Sequence, residues 1–175
     1  MPVLKEIWKE KAKRKNDKEL NKGGSVLDIN VIRNISDFRF NLSKDGFIDF
    51  LYNHLGEFGD TKEAITKAVD YAFSNAEGKG GFLLTAYIKE QLVGALVMNK
   101  TGMSEYIPEN ILVYVAAHEN WQGVGIGRYL IEKAMEVCDG DIALHVEHDN
   151  ETAIKFYEKM DFNSKYLEMR WERNK

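Results

Sequence analysis

The run Gln122-Gly123-Val124-Gly125-Ile126-Gly127-Arg128 has the residue types of a cradle for a phosphate-bearing ligand. Glycine keeps side chains away from the peptide groups, so an anion can approach them, and it accepts backbone angles that other residues avoid. At Ile126 the apolar period changes, with Ile126, Leu130, Ala134 and Val137 recurring at helical spacing. The glycines therefore stand between a strand and a helix. The first turn of a helix leaves about four N–H groups without acceptors, at the positive end of its dipole, and Arg128 adds a cation close by. The run lacks the Gly-Lys-Ser/Thr ending of a Walker loop, and Arg128 stands where a dinucleotide fingerprint needs its third glycine. A tight turn that packs helix on strand and binds nothing is the competing reading of a bare glycine pattern.

Other reactive side chains give weaker patterns. Cys138, the sole cysteine, falls late in the predicted helix with no sequence neighbour to lower its pKa, which suits a small, partly buried residue better than a nucleophile. His145-x-Glu147-His148 matches no zinc signature, and no metal is expected. His118 and Trp121 precede the glycine turn and are read as shaping it. Asp60 and Glu63 have the spacing of a helix-capping pair.

Two segments together carry a resemblance. Gln122 to Gly127 resembles the Q/R-x-x-G-x-G/A signature of the GNAT acyltransferase superfamily. His145 to Phe162 resembles that superfamily's strand followed by N-x-x-A-x-x-x-Y-x-x-x-x-F, with Asn150, Ala153, Tyr157 and Phe162 in those places. The likeness spans roughly residues 26–175 and is weakest in the first half. It implies an acetyl-CoA-dependent N-acetyltransferase, in which a small-molecule or peptide amine attacks the thioester directly in a ternary complex. The alternative is a non-catalytic CoA or acyl-CoA sensor or scaffold.

The resemblance also implies roles. Gln122, Gly123, Val124, Gly125, Ile126, Gly127 and Arg128 would hold the pyrophosphate of acetyl-CoA. Its pantetheine arm would lie where the central and fifth strands diverge, bordered by the peptide groups of Val115, Ala116 and Ala117. The Val115 amide is the candidate to stabilise the oxyanion, an effect worth ~3 kcal/mol. Asn150, Ala153 and Tyr157 would meet the coenzyme from one helix face, since residues three, four and seven apart share a face. Tyr157, otherwise a core tyrosine, becomes the candidate donor to the departing thiolate. A phenol of pKa ~10 gives its proton to a thiolate of ~8.5 at a cost of ~2 kcal/mol, so hydrogen bonding is its main expected action. Glu57 and Asp60, at the junction of the first two helices, would receive a positive amine. An alkylammonium also needs a base, yet Ile111 to Ala117 carries no Asp or Glu, leaving Glu109, Glu147 and His145 as the nearest alternatives.

Composition sets the frame for these residues. With 175 residues, 44% hydrophobic and 30% charged, the chain suits one well-cored globular domain. Its apolar runs are too short for the ~20 residues of a membrane span. The polar N-terminus without a signal-peptide core, and a single cysteine, point to a reducing cytoplasm. Net charge is −4, unevenly spread: residues 1–25 hold eight Lys and Arg against four Asp and Glu, the remainder 16 against 24. The acidic body argues against nucleic acid and suits a cationic substrate. In the basic segment 1–25, Leu4, Ile7, Trp8 and Ala12 at helical spacing predict an amphipathic helix packing on this domain or on a partner subunit, which leaves a homodimer open. Glu6 and Glu10 interrupt its basic face and argue against a membrane surface. Gly23-Gly24-Ser25 is the hinge to a domain over 26–175.

The elements that must position the site follow from periodicity. A strand is predicted at Leu27 to Ile32, then helices on the stripes Phe47, Ile48, Leu51, Leu55 and Ile65, Ala68, Val69, Ala72, Phe73, joined by Gly56 to Gly59. GFLLTAYI and LVGALVMNK flank Lys89 to Gln91 as an antiparallel hairpin. Ile111 to Ala117 is apolar in both alternate sets, which predicts a strand covered on both faces in the middle of the sheet. A helix from Ile126, a strand at Ile142 to Val146, a helix at Asn150 to Met160 and a strand at Tyr166 to Trp171 complete the order. This order makes an α/β fold, α+β in character. The resemblance implies a mixed, mostly antiparallel sheet with helices on both faces.

Overall fold

The computed structural model describes residues 27–173, which divide into two compact units between His145 and Val146. The predicted helix over Leu4 to Ala12 lies outside the described residues. The first unit runs β1 (Leu27–Ile32), α1 (Lys44–His54), α2 (Lys62–Ala72), β2 (Gly81–Ile88), β3 (Gln91–Lys100), β4 (Asn110–Ala117), α3 (Ile126–Val137) and β5 (Ile142–Leu144). Its strands pair in the order β1-β2-β3-β4-β5. The first three pairings are antiparallel and β4 with β5 is parallel, so the sheet is mixed and mostly antiparallel, as expected.

Helices cover both faces because consecutive strand residues point opposite ways. Phe47, Phe50 and Leu51 of α1 and Ile65, Val69 and Ala72 of α2 bury against Leu83, Ala95, Val97 and Ala116. On the other face, α3 buries Ile126, Leu130, Ile131 and Ala134, the predicted stripe with Ile131 added and Val137 left half-buried. Both helices of the first layer start on a hydroxyl. Ser43 Oγ accepts from the Gly46 amide at 3.0 Å, and Thr61 Oγ1 from the Ala64 amide at 3.2 Å. Thr61 therefore caps α2, not the Asp60 and Glu63 pair inferred from spacing, because the helix begins one residue later.

In the first unit, two strands differ from expectation. The strand buried on both faces in the middle of the sheet is β3, whose residues Val93 to Met98 are all buried; β4 is second from the edge, and Val113, Tyr114, Val115 and Ala117 are only half-buried. An apolar run reports that a strand can be covered, not where in the sheet it lies. β5 is also shorter than predicted, ending at Leu144.

The second unit contains α4 (Glu151–Glu158), started by Asn150. Tyr166 to Trp171 forms no strand: Tyr166, Leu167, Met169 and Trp171 are 74 to 87% exposed, and the Arg170 guanidinium grips Glu168 two residues back at 2.6 Å. Alternation permits a strand, but a ladder needs a neighbouring backbone, and none among the described residues pairs with this segment.

Gly94 sets how closely α3 approaches β3. A Cβ there would lie 2.5 Å from Ile126 Cγ2 and 2.9 Å from Leu130 Cδ1, inside van der Waals contact. Gly94→Val is expected to force the first turns of α3 outward and to lower unfolding free energy by about 1–3 kcal/mol. Urea unfolding measures it, and an unchanged midpoint would show that α3 sits more loosely than these contacts require.

Candidate functional site

The site begins where a ladder stops. β4 and β5 pair at Asn110↔Ile142, Ile111↔Ala143 and Leu112↔Leu144 and no further, while β4 continues to Ala117 with β3 still alongside. The His118 amide donates to Val93 O at 2.9 Å, toward β3. N–H directions alternate along a strand, so Ala116 also faces β3, and the amides of Val115 and Ala117 point to the edge that β5 has left. Within the five-stranded sheet this edge is a row of peptide groups without ladder partners, suited to an extended, amide-bearing chain.

The glycine turn follows directly. A 3-10 turn, Glu119–Trp121, leads to an exposed Gln122. Gly123 and Gly125 have φ of 76° and 97°, the left-handed region where glycine is favoured, and nothing lies within 4 Å of a Cβ built on Gly123. Gly125 starts α3, and its carbonyl takes the first intrahelical bond, from the Tyr129 amide at 3.0 Å. The amides of Ile126 and Gly127 precede that bond, while the Ile126 side chain, 1% exposed, pins the turn to the core. Val124 and Gly127 are half-buried. The Arg128 Nε reaches Glu132 Oε1 at 2.9 Å, so part of its charge is shared within the helix.

The face of β4 opposite α3 carries two side-chain pairs, one near the middle of the strand and one just past its end. The Tyr114 hydroxyl donates to Asp60 Oδ2 at 2.7 Å, joining the α1–α2 junction to β4. Burial, and then the Asp60 carboxylate, push the Tyr114 phenol far above its ordinary value. Four residues farther along the chain, the rings of His118 and His54 stack with centroids 4.6 Å apart, and His54 lies 4.6 Å from Phe50. Desolvation, then the neighbouring His118, lower the His54 pKa below its ordinary 6.5. His54 ends α1 and His118 follows β4; only the packing of that helix on that strand brings them together. Glu57 is exposed in a 3-10 turn, Gly56–Phe58, and Asp60 is exposed apart from its bond to Tyr114.

The base candidates fare differently. Glu109 stands before the first residue of β4, roughly 25 Å from Ala117 at ~3.3 Å per residue, and accepts from the Asp141 amide at 2.8 Å, which lowers its pKa. It is a structural carboxylate. His145 and Glu147 are exposed on either side of the boundary between the units. Burial, then Asp139, push the Cys138 thiol up to about 11, which makes it unreactive at neutral pH.

In the second unit, Asn150 Oδ1 accepts from the Ala153 amide at 3.0 Å and caps α4. Tyr157 is half-buried, with Phe156 and Phe162 ring centroids at 5.3 and 5.7 Å, and burial raises its phenol to about 12. Glu147, His148 and Asp149 bring ligand-type atoms within 4.8 Å of one another, all exposed.

The sequence profile of the acetyltransferase (GNAT) family matches residues 48–162, from α1 to the end of the second motif. This chain belongs to the GNAT acetyltransferase family. No curated protein matches it. Among solved structures, a possible acetyltransferase from Clostridium difficile 630 superposes with a TM-score of 0.62 at 21% identity, covering 86% of this chain and 99% of that one. An aminoglycoside N-acetyltransferase in complex with CoA gives 0.61 at 10% identity, over 87% and 97%. An aminoglycoside acetyltransferase from an uncultured soil metagenomic sample, in complex with sisomicin, gives 0.56 at 17% identity, over 85% and 97%. At these identities the superpositions establish the fold. No helix among the described residues is long and apolar enough to cross a membrane.

The lowered His54 pKa carries a stability consequence. Below pH ~6.5 the unfolded chain binds a proton that the folded His54 resists, so this group's contribution is present above that pH and is lost as pH falls. The melting temperature is expected to drop between pH 7.5 and 5.5 more steeply in the wild type than in His54→Phe, which keeps the stacked ring without the charge. Equal slopes in calorimetry would show that His54 is as well solvated in the fold as in the unfolded chain.

Proposed function

We propose that this GNAT domain transfers an acetyl group from acetyl-CoA to a primary amine by direct attack, with both substrates bound. The observation that carries this reading is the continuity of the open β4 edge with the bare glycine turn. Acetyl-CoA supplies an activated acyl group on an extended arm that bears amides and ends in a diphosphate. The chain offers peptide donors for each part in the matching order. The amides of Gly123 to Gly127 hold the diphosphate, with Gln122 and Arg128 beside it, and the Val115–Ala117 edge pairs with the arm. The Val115 amide donates to the thioester oxygen as charge develops there, worth ~3 kcal/mol.

Asn150 and Ala153 complete the coenzyme contacts, and Tyr157 donates a hydrogen bond to the departing sulfur. Full proton transfer from a phenol at about 12 to a thiolate near ~8.5 runs uphill by ~3.5 units, or ~5 kcal/mol. The sulfur therefore takes its proton chiefly from solvent, and the phenol steadies its charge. Glu57 and Asp60 receive the substrate ammonium; the aminoglycoside-acetylating neighbours support a small-molecule amine.

Thiol release from acetyl-CoA is the test, run with spermidine, an aminoglycoside and a tripeptide with a free α-amino group. Coenzyme binding without release from any of them would favour the sensor. Tyr157→Phe is expected to cut turnover by at least about tenfold with near-normal acetyl-CoA affinity, since the loss of one hydrogen bond to a charge costs about 1.5–3 kcal/mol; undiminished turnover would leave that task to water. Gly125→Val places a β-branched residue at φ of 97° and is expected to abolish coenzyme binding. A wild-type dissociation constant in calorimetry would move the diphosphate elsewhere.

A further inference from the structure

An ammonium must lose a proton before its nitrogen can attack, and no carboxylate stands on β4 between Ile111 and Ala117 to take it. The structure brings an imidazole to that end of the strand instead. The His54 ring is held by stacking alone, at 4.6 Å from both Phe50 and His118, and no hydrogen bond among the described residues involves it. It is half-buried, so its polar edge still meets water. His118 is committed differently: its Nδ1 accepts from the Asn120 amide at 3.2 Å, which leaves its proton on Nε2 and makes it a donor. Of the stacked pair, His54 therefore has the available lone pair.

Position agrees with chemistry. His118 is the residue after Ala117, whose amide faces the open edge, and it shares the strand face of Ala116 and Tyr114. His54 thus stands over the end of that edge, on the face opposite α3, on the same side as the bond between Tyr114 and Asp60. The face carrying α3 has the glycine turn at its helix terminus.

We propose that His54 is the general base of the acetyl transfer and that His118 is the positioning residue that holds its ring, an assignment that rests on the acetyl-transfer reading above. The substrate R–NH3+ gives one proton to the His54 ring nitrogen, uphill by at least about 1.5 units for an α-amino group and about 3.5 for an alkylamine, in a minor population that attack on the thioester drains irreversibly. The freed lone pair forms the C–N bond to the acetyl carbon, and the C–S bond breaks with its electron pair going to sulfur. The second proton shed by the new amide ends on that sulfur or in solvent, and His54 returns its own to water. The sum is ammonium plus thioester giving amide, thiol and one proton.

Electrostatics fit the role. The ionisable groups acting on His54 among the described residues are His118, which lowers its pKa, and Glu119, which raises it against that and against desolvation. The ring is neutral at pH 7 and free to accept a proton.

The decisive measurement is the pH dependence of kcat/KM with acetyl-CoA and the best acceptor of the amine panel. The wild type is expected to show an acid limb below pH 6.5. In His54→Gln that limb should move up to the ionisation of the amine itself, ~8 for an α-amino group or ~10 for an alkylamine, and kcat at pH 7 should fall about 100-fold. CoA affinity in calorimetry should be unchanged, which separates loss of the base from loss of the fold. Millimolar imidazole should restore part of the rate to His54→Ala. His118→Phe, which keeps the stack without the charge, should shift the wild-type limb to higher pH, a change that mere packing would not produce. A wild-type limb and rate in His54→Gln would overturn the base assignment while leaving acetyl transfer intact. Absence of thiol release by the wild type from every amine would overturn both.

Discussion

Pairing between β4 and β5 stops after three residues, and the open edge of the first unit depends on that interruption. Backbone amides are strong donors that interiors keep paired, so an unpaired row beside a sheet is a standing demand for a partner. Here the row runs directly into a helix start built of glycines, where further amides lack acceptors. The two features are consecutive in the chain because one strand supplies the edge and the next turn supplies the cradle. β3 keeps β4 extended through this stretch by pairing as far as Gly94↔Ala117. Gly94 in turn admits α3 close enough for Ile126 to anchor the turn. One missing side chain on β3 thus helps to fix the helix terminus that a diphosphate would use.

The two faces of the sheet divide the labour. On the α3 side are small or apolar groups and peptide donors, which suit an anionic, amide-rich coenzyme. On the α1 and α2 side, at the same end of β4, are the Asp60 carboxylate, the Tyr114 phenol and the two stacked imidazoles. Those are polar, titratable groups, unlike the peptide donors of the other face. The acidic balance of the chain outside residues 1–25 favours cations over anions near its surface. Glu109 makes the contrast clear. As a carboxylate next to β4 it is a candidate base in sequence, yet in space it ties down the start of β5 through the Asp141 amide.

Much of this was legible beforehand because it is local. The stripe of α3, the change of period at Ile126, the β2–β3 hairpin and the helix start at Asn150 depend on residues within a few positions of one another. The glycine run and the Asn150-Ala153-Tyr157 spacing are local too. Where the local pattern misled, a longer-range quantity decided. The middle of the sheet is β3 because strand order is set by which hairpins form, not by which run is most apolar. Tyr166 to Trp171 alternates without pairing because a ladder needs a second backbone. The α2 cap fell on Thr61 rather than Asp60 by a shift of one residue, and that shift frees the Asp60 carboxylate to accept from Tyr114.

The sequence by itself determined most of the elements, the glycine turn and the family, since each is written in short-range spacing of residue types. Tertiary structure alone decided which peptide groups lie open, because amide direction depends on where β5 parts from β4. It alone decided that His54 meets His118, since residues so far apart in the chain become neighbours only when a helix packs on a sheet. Periodicity carries information along one chain segment at a time, whereas proton transfer requires side chains from several segments at one point in space.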